Sequence, residues 1–484
     1  MSRIVCIILF ITISTTLLAQ KKISNTEARE DFKIFKNILL QGHPALYEYI
    51  EETELDLIFT DTETSFEEEI TDIELFKKMQ LVTDQIRDGH LLLFAPNTLN
   101  TTQYYFPLIL KIIHTEFYTD TDDFGIPIGS KILQINKKET SHILQSLKKY
   151  APTDGYNLTR KYRDIELKFG LFYMYEYGIE KEFTIVYLAP DGIEKTITVP
   201  AESFVNAKHR NINRNSYFSR YHLQKDKVDF FSKHINTKEP FVYYKDYQKT
   251  AVLVVNSFGI DIRAFKSRLV QLFKEINKKK IKHLIIDVRN NDGGFRPNSV
   301  HLFSFITNTL FKQRTSAFVA SLEIPERNYV SRTYANEKEF LKDKFYHHPQ
   351  YNGWKLNFDD LEVMMVPDRN RFRGKVYVLA GGTTFSAGSA FALLAKNDPD
   401  ILLVGEETGG GYYSHTGQFP VYYELPNSNI MMLMSMEKLT HYVKDTTIPK
   451  GTGVLPDREV LLSVEDLKKG VDSQLDYILR LIKG

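Results

Sequence analysis

Two apolar runs that each end in a glycine-rich turn most constrain the fold of this chain. The first run covers residues 284–288 and leads into Gly293 and Gly294, and the second covers residues 376–380 and also leads into glycines. Short apolar runs bounded by turn residues predict buried strands. Helical patterns separate these strands, and strands that alternate with helices predict a largely parallel sheet. We therefore predict an α/β domain over residues 241–484.

The region before residue 100 is predicted to be helical. Capping boxes at residues 24–27 and 71–74 each precede a pattern of apolar residues at helical spacing. The second helix is predicted to end at Gly89, because glycine commonly caps the C-terminus of a helix. His90 then lies at a corner between this helix and a strand-like run. Residues 20–100 are predicted to form an N-terminal helical domain.

The middle of the chain has a different pattern. Residues 101–200 alternate like short strands with turns between them, and they predict a small β-rich domain. Residues 201–240 are polar and basic without a clear period, which indicates a linker or insertion.

The first residues resemble a secretory signal peptide. Arg3 precedes an apolar run over residues 4–18, and cleavage is predicted after Ala19, so that residues 1–19 would be removed. The run is shorter than the about 20 residues of a membrane span, although an uncleaved anchor is the alternative. The only cysteine, Cys6, lies inside this segment. The exported chain would therefore have no disulfide, thiol nucleophile or cysteine zinc site, and it would be periplasmic or secreted.

Charge and motifs exclude several classes of partner. The chain has 62 Lys plus Arg and 61 Asp plus Glu, a net charge of +1, which favours neither nucleic acid nor an anionic membrane surface. It has no zinc-protease helix motif, acidic calcium loop or P-loop. We predict no metal, no cofactor and no integral membrane domain after signal removal. The sequence is compatible with a homo-oligomer.

Ser386 is the candidate nucleophile. It follows the second glycine-rich turn and precedes a helix of small residues, so it lies beside free backbone N–H groups. An oxyanion formed by its attack would be stabilised there, and the amides of Ala387 and of Gly293 or Gly294 are the predicted oxyanion hole. The alternative is that Ser386 only caps the helix and that both turns are ordinary strand-to-helix connections.

A serine nucleophile needs a base, and the chain has 13 histidines. His90 is a candidate because of its corner position. His415 follows a run of three glycines and is the other candidate.

Four segments, in the right order over about 170 residues, resemble motifs of the tail-specific serine peptidases, which include C-terminal processing peptidases and the tricorn core protease. These segments are residues 285–294, 384–387, 404–411 and 453–457. The resemblance implies a crotonase-like or ClpP-like catalytic core, a PDZ-like domain at residues 101–200, and a peptide or protein substrate. It also implies that Ser386 is the nucleophile.

The family uses two catalytic mechanisms, one that pairs serine with lysine and one that pairs serine with histidine, and the resemblance favours the second. Gly411 stands where the first mechanism has its lysine. The segment ending in His90 is similar to the Asp-Gly-His segment of the tricorn-like branch. His90 is therefore the implied base. Lys450 stands where that branch has a glutamate. Three residues remain open as the acid that orients the histidine: Asp88, Glu406 and Asp445.

The sequence thus predicts an exported serine endopeptidase that works through a Ser386 acyl-enzyme with His90 as general base. The alternative is a non-catalytic peptide- or lipid-binding protein on a peptidase fold, which Lys450 favours. An esterase with the same serine chemistry is not separated from the peptidase by sequence.

Overall fold

The computed structural model describes residues 21–96, 104–207, 238–245, 249–333, 338–348, 353–357 and 363–484. The predicted signal peptide and most of the predicted linker lie outside these residues. Within the described part of the chain, no helix combines the length and the apolar character needed to cross a membrane.

The N-terminal region contains both predicted helices, and each begins at its predicted capping box. The second helix ends at Ile86 rather than at Gly89, because Arg87 adopts the left-handed conformation (φ 59°) that ends it. The guanidinium of Arg87 bonds the carbonyl oxygen of Tyr49 and lies over the ring of Tyr156, which holds this turn. The elements are β1 (Lys22–Ser24), α1 (Asn25–Gly42), α2 (Glu52–Thr64), β2 (Glu69–Thr71), α3 (Asp72–Ile86) and β3 (Leu92–Phe94).

The middle region forms a sheet in the order β4-β5-β6-β8-β9, with β7 paired to β6. Its elements are β4 (Leu110–Ile113), β5 (Glu116–Thr119), β6 (Lys131–Ile135), β7 (Lys138–Glu139), α4 (Thr140–Leu147), α5 (Thr159–Tyr177), β8 (Glu182–Leu188) and β9 (Glu194–Pro200). The sequence did not predict α5. Its buried side includes Lys161, Asp164 and Glu166, so buried charged residues interrupt the apolar period that would have indicated a helix.

In the C-terminal region, strand and helix alternate as predicted over residues 250–304 and 375–405, whereas consecutive strands without an α-helix occupy the described parts of residues 314–356 and 414–459. Its elements are β10 (Phe241–Lys245), β11 (Thr250–Val254), α6 (Ile262–Lys278), β12 (His283–Asp287), α7 (Arg296–Ser304), β13 (Arg314–Val319), β14 (Val330–Arg332), β15 (Phe345–His347), β16 (Trp354–Leu356), β17 (Lys375–Ala380), α8 (Ala387–Lys396), β18 (Ile401–Gly405), β19 (Ser414–Thr416), β20 (Pro420–Glu424), β21 (Met431–Ser435), β22 (Glu437–His441), β23 (Arg458–Glu459), α9 (Val464–Lys469) and α10 (Ser473–Lys483). Short helical turns lie at Asp123–Gly125, Lys148–Tyr150, Arg327–Tyr329 and Lys338–Lys342.

The main sheet has the order β10-β11-β12-β17-β18-β23, parallel throughout except for β10 at one edge. Apolar residues of α6, α7 and α8 cover one face, and those of α10 cover the other. Because β12 and β17 are parallel neighbours, their carboxyl ends lie side by side, with Asp287 opposite Leu379. The two glycine-rich turns that follow these strands therefore begin at the same edge of the sheet.

One strand from the N-terminal region joins the C-terminal region. β3 pairs with β21 in a second sheet of order β14-β20-β21-β3, with Leu93 opposite Met432. One apolar core spans side chains from the N-terminal helices, the middle region and this sheet. The pairing fixes the segment just before β3, which carries His90. The domain boundaries near residues 100, 200 and 240 stay predictions.

Candidate active site

The backbone of Ser386 is strained. Ser386 has φ 52° and ψ −122°, a conformation that non-glycine residues rarely adopt and that costs about 1–3 kcal/mol. Its side chain makes no capping hydrogen bond to α8, so the interpretation of Ser386 as a simple helix cap is wrong. The hydroxyl instead lies 3.1 Å from Nε2 of His90. Such a sharp strand-to-helix turn exposes a nucleophile above the sheet.

The two glycine-rich turns contact each other. The N–H of Phe385 donates to the carbonyl oxygen of Asn291 at 2.9 Å, and the Thr384 hydroxyl donates to that of Val288 at 2.8 Å. Gly293 lies directly against Ser386, since a Cβ added there would be 2.7 Å from Cβ of Ser386. The two glycine-rich turns therefore meet, as the strand pattern predicts.

The N–H groups predicted to form the oxyanion hole differ in whether they are free to bind an oxyanion. The N–H of Gly293 already donates to Oδ1 of Asn291 at 2.9 Å, because Asn291 folds its side chain back over the turn. Within the described residues, the N–H groups of Gly294 and Ala387 have no acceptor, and Gly294 is exposed. The oxyanion hole stays a prediction, and these two amides are the pair that is free to form it.

Substituting Gly293 by alanine is expected to lower kcat/KM by about 10²-fold, the cost of displacing a catalytic group by about 1 Å. The new Cβ would meet Cβ of Ser386 at 2.7 Å and the nitrogen of Ala387 at 3.2 Å, on a backbone with φ 114°. Steady-state kinetics on a peptide substrate would measure this loss. Gly192→Ala is the matched control, because Gly192 also has a positive φ but open space around it. Equal activity of the two variants would contradict the prediction.

His90 is held by its backbone and by stacking. Its N–H donates to Oδ1 of Asp88 at 2.7 Å, and its ring stacks on that of Phe385 with centroids 4.6 Å apart. Gly89 permits this approach, since a Cβ there would lie 2.6 Å from the Phe385 ring. Nδ1 of His90 is buried and has no hydrogen-bond partner within the described residues. No carboxylate in the described part of the chain therefore orients the imidazole through Nδ1.

The environment keeps His90 neutral. Desolvation lowers the pKa of His90 to about 4, with the Asp88 carboxylate opposing this effect and Arg160 and Arg314 adding to it. A neutral imidazole with its proton on Nδ1 presents the lone pair of Nε2 to the Ser386 hydroxyl. This is the protonation state that a general base needs.

Asp88, Glu406 and Asp445 were the three candidates for the acid that orients His90. Each of these side chains bonds groups other than the His90 ring. Asp88 accepts from Nε2 of His43 at 2.8 Å and from the Thr416 hydroxyl, besides the His90 backbone. Glu406 pairs with Arg163. Asp445 is exposed and bonds Thr447. Lys450 is also exposed.

Sequence reasoning missed Asp154, which lies beside His90. Its two oxygens accept from the N–H groups of Gly89 (2.8 Å) and Gly411 (3.0 Å), and the residue is only 3% exposed. The donor atoms of Asp88, His90 and Asp154 lie within 4.8 Å of one another, close enough to share a metal ion. All four carboxylate oxygens already accept hydrogen bonds, so this set is poorly suited to a metal. No pattern in the sequence joins residue 154 to residue 90.

His415, the other candidate base, forms no hydrogen bond with Ser386. Its ring stacks on that of His90 with centroids 5.5 Å apart, and its Nδ1 lies 2.8 Å from Nε2 of His441. The geometry therefore favours His90.

The sequence of the C-terminal region matches a known family. Residues 249–460 match the model of peptidase family S41. These residues form an S41 peptidase domain. With this domain the chain is a serine-type peptidase, in line with its resemblance to the tail-specific peptidases. No curated protein matches the sequence.

Two solved structures share the fold over 95% of this chain. The structure of mature CPAF complexed with lactacystin has a TM-score of 0.62 and 14% identity, and the match covers 95% of this chain and 98% of that one. The crystal structure of mature CPAF has a TM-score of 0.60 and 14% identity, covering 95% and 97%. The photosystem II D1 C-terminal processing protease has a TM-score of 0.44 and 11% identity, covering 95% and 97%. The first two similarities extend beyond the S41 domain to the N-terminal and middle regions.

Proposed function

We propose that the chain is an exported serine endopeptidase in which Ser386 is the nucleophile and His90 the general base. The observation that carries the proposal is the 3.1 Å contact between the Ser386 hydroxyl and Nε2 of His90, at a serine with a strained backbone. Strain of this kind persists where function requires it. Both residues are partly exposed, so a peptide bond can reach them.

The proposed reaction follows the usual order of serine peptidases. Ser386 attacks the peptide carbonyl while Nε2 of His90 takes its proton, and the N–H groups of Gly294 and Ala387 stabilise the oxyanion. The imidazolium then donates this proton to the leaving amine, which leaves an acyl-enzyme on Ser386. Water, deprotonated by His90, hydrolyses the acyl-enzyme.

The finer architecture is part of this proposal. The S41 domain would have a crotonase-like or ClpP-like core, and residues 101–200 would be PDZ-like and bind an extended peptide. A cavity of about 350 Å³ between α5 and the segment leading into β4, lined by Phe106, Leu108 and Phe169 among others, supports peptide binding there. A peptide strand could add to β4 only at residues before Ile112, because the N–H of Ile112 already donates to the Glu166 carboxylate at 2.7 Å.

A non-catalytic binding protein is the competing function. The observation that favours it is the buried Nδ1 of His90, which has no partner within the described residues where many serine peptidases have an acid.

Labelling with a fluorophosphonate probe separates the two functions. We expect wild-type protein to be labelled at Ser386 and Ser386→Ala protein to be unlabelled, with the modified peptide identified by mass spectrometry. Ser463→Ala is the matched control, because Ser463 does cap its helix through the N–H of Asp466. This control should be labelled like wild type. Absence of labelling in wild type would support the binding protein and contradict the peptidase mechanism.

A further inference from the structure

Three separate segments meet at the catalytic histidine, and one buried carboxylate joins them. The segments are the corner that carries His90, the turn that contains Asp154, and the glycine loop at residues 409–411. Oδ1 of Asp154 accepts from the N–H of Gly89, and Oδ2 accepts from that of Gly411. No other described side chain bonds both of these loops.

The two aspartates hold consecutive peptide groups of the same corner. Asp154 binds the N–H of Gly89 at 2.8 Å, and Asp88 binds the N–H of His90 at 2.7 Å. Because the imidazole has no acid on Nδ1, its direction depends on this backbone and on the stacked ring of Phe385. A shift of the corner would therefore move Nε2 away from the Ser386 hydroxyl.

The glycine loop on the other side of Asp154 also touches the nucleophile. A Cβ on Gly410 would be 3.3 Å from the backbone nitrogen of Ser386, and the N–H of Gly410 donates to Oγ of Ser389 in α8. Asp154 thus connects a loop that packs on Ser386 to the corner that carries His90.

We propose that Asp154 is a positioning residue that sets the distance between His90 and Ser386 by holding the backbones of Gly89 and Gly411. It acts through these two peptide groups and does not touch the substrate. The inference rests on the function proposed above, and it assigns to a residue of the middle region the task of aligning the base.

The ionisation of Asp154 gives the inference a pH signature. Burial, reinforced by repulsion from Asp88, raises the pKa of Asp154 to about 7, while the two N–H groups and Arg160 oppose the rise. Tyr49 and His90 also lie beside it. Asp154 lines a small cavity, and the further charged or titratable groups that line it are Glu48, Arg87, His415 and Lys438. The charged carboxylate accepts both N–H groups best, so kcat should rise with pH through about 7, well above the pKa of His90.

The kinetic test compares Asp154→Asn with Asp31→Asn. Asp31 is the matched control, because it is fully buried and also accepts two backbone N–H groups, from Asn427 (3.1 Å) and Ser428 (2.7 Å). We expect Asp154→Asn to lower kcat by about 10²-fold with little change in KM, and to lose the rise in kcat near pH 7. Asp31→Asn should keep the wild-type kcat and pH profile. An Asp154→Asn enzyme within about 3-fold of wild type, or with an unchanged pH profile, would overturn the proposal.

A second measurement does not depend on activity. Amide hydrogen exchange of the peptides that contain Gly89 and Gly411 should be faster in Asp154→Ala than in wild type and in Asp31→Ala. Unchanged exchange at both glycines would overturn the positioning role even in an active enzyme. A wild type that fluorophosphonate does not label would instead refute the proposed function, and the exchange result would still decide whether Asp154 holds the two loops.

Discussion

Replacing His90 by alanine is expected to lower kcat for peptide hydrolysis by on the order of 10⁶-fold, the loss found when the histidine base of a serine peptidase is removed. The reason is that Nε2 of His90 is the group 3.1 Å from the Ser386 hydroxyl. Without it, the proton of Ser386 passes only to solvent hydroxide, so the residual rate should increase with pH. Steady-state kinetics between pH 6 and pH 9 would measure both effects.

His415→Gln is the control that distinguishes the two candidate bases. His415 is buried and stacks on His90, but its Nδ1 is bonded to His441 and its ring does not reach Ser386. Its replacement should cost far less activity than that of His90. An inactive His415→Gln enzyme, together with an active His90→Ala enzyme, would reassign the base to His415.

Replacing Arg163 by methionine is expected to lower the free energy of unfolding by about 3–5 kcal/mol. Arg163 pairs with Glu406 at 3.1 Å and with Glu166, and the two glutamate side chains are only 9% and 2% exposed. Methionine would leave these carboxylates buried without their shared partner. Lys111 still contacts Glu166 at 3.2 Å, which places the loss towards the lower end of the range. Thermal and urea unfolding followed by circular dichroism would measure the change.

Lys22→Met is the matched control for Arg163. Lys22 also forms an ion pair, with Glu69, but its side chain and that of Glu69 are 72% and 66% exposed. Its loss should cost less than about 1 kcal/mol, because solvent screens exposed pairs. Equal destabilisation by the two variants would show that burial does not decide the strength of the Arg163 pairs.

The position of Arg163 links stability to the site. The aliphatic part of its side chain packs against the turn before Ser386, since a Cβ on Gly382 would lie 2.8 Å from Cγ of Arg163. The same residue bonds Glu166, which holds the N–H of Ile112 at the edge of β4. One partly buried cation therefore joins the middle region to the S41 domain.

Much of the site was predictable because its signals are local. The turn before Ser386 and the turn at Gly293 each follow a strand whose apolar run is visible in the sequence. Parallel neighbouring strands end at one edge of the sheet, so the meeting of these turns follows from the strand pattern. His90 was predicted from its corner and from the resemblance to the Asp-Gly-His segment.

Other parts could not be read from local patterns. The helix α5 was missed because its buried face includes Lys161, Asp164 and Glu166, whose burial depends on partners elsewhere in the fold. The role of Asp154 depends on N–H groups from Gly89 and Gly411, which are far from it in sequence. The end of α3 was misplaced because Arg87, rather than glycine, takes the left-handed conformation.

The sequence by itself determined the main alternation of strands and helices, the capping boxes and the turn that carries Ser386, because each of these depends on residues within a few positions of one another. Only the tertiary structure decided which histidine meets Ser386 and which side chains bond the backbone beside that histidine. His90 lies 296 residues before Ser386, and the two meet because β3 pairs with β21. Such pairings are chosen by the packing of the whole core rather than by any one segment.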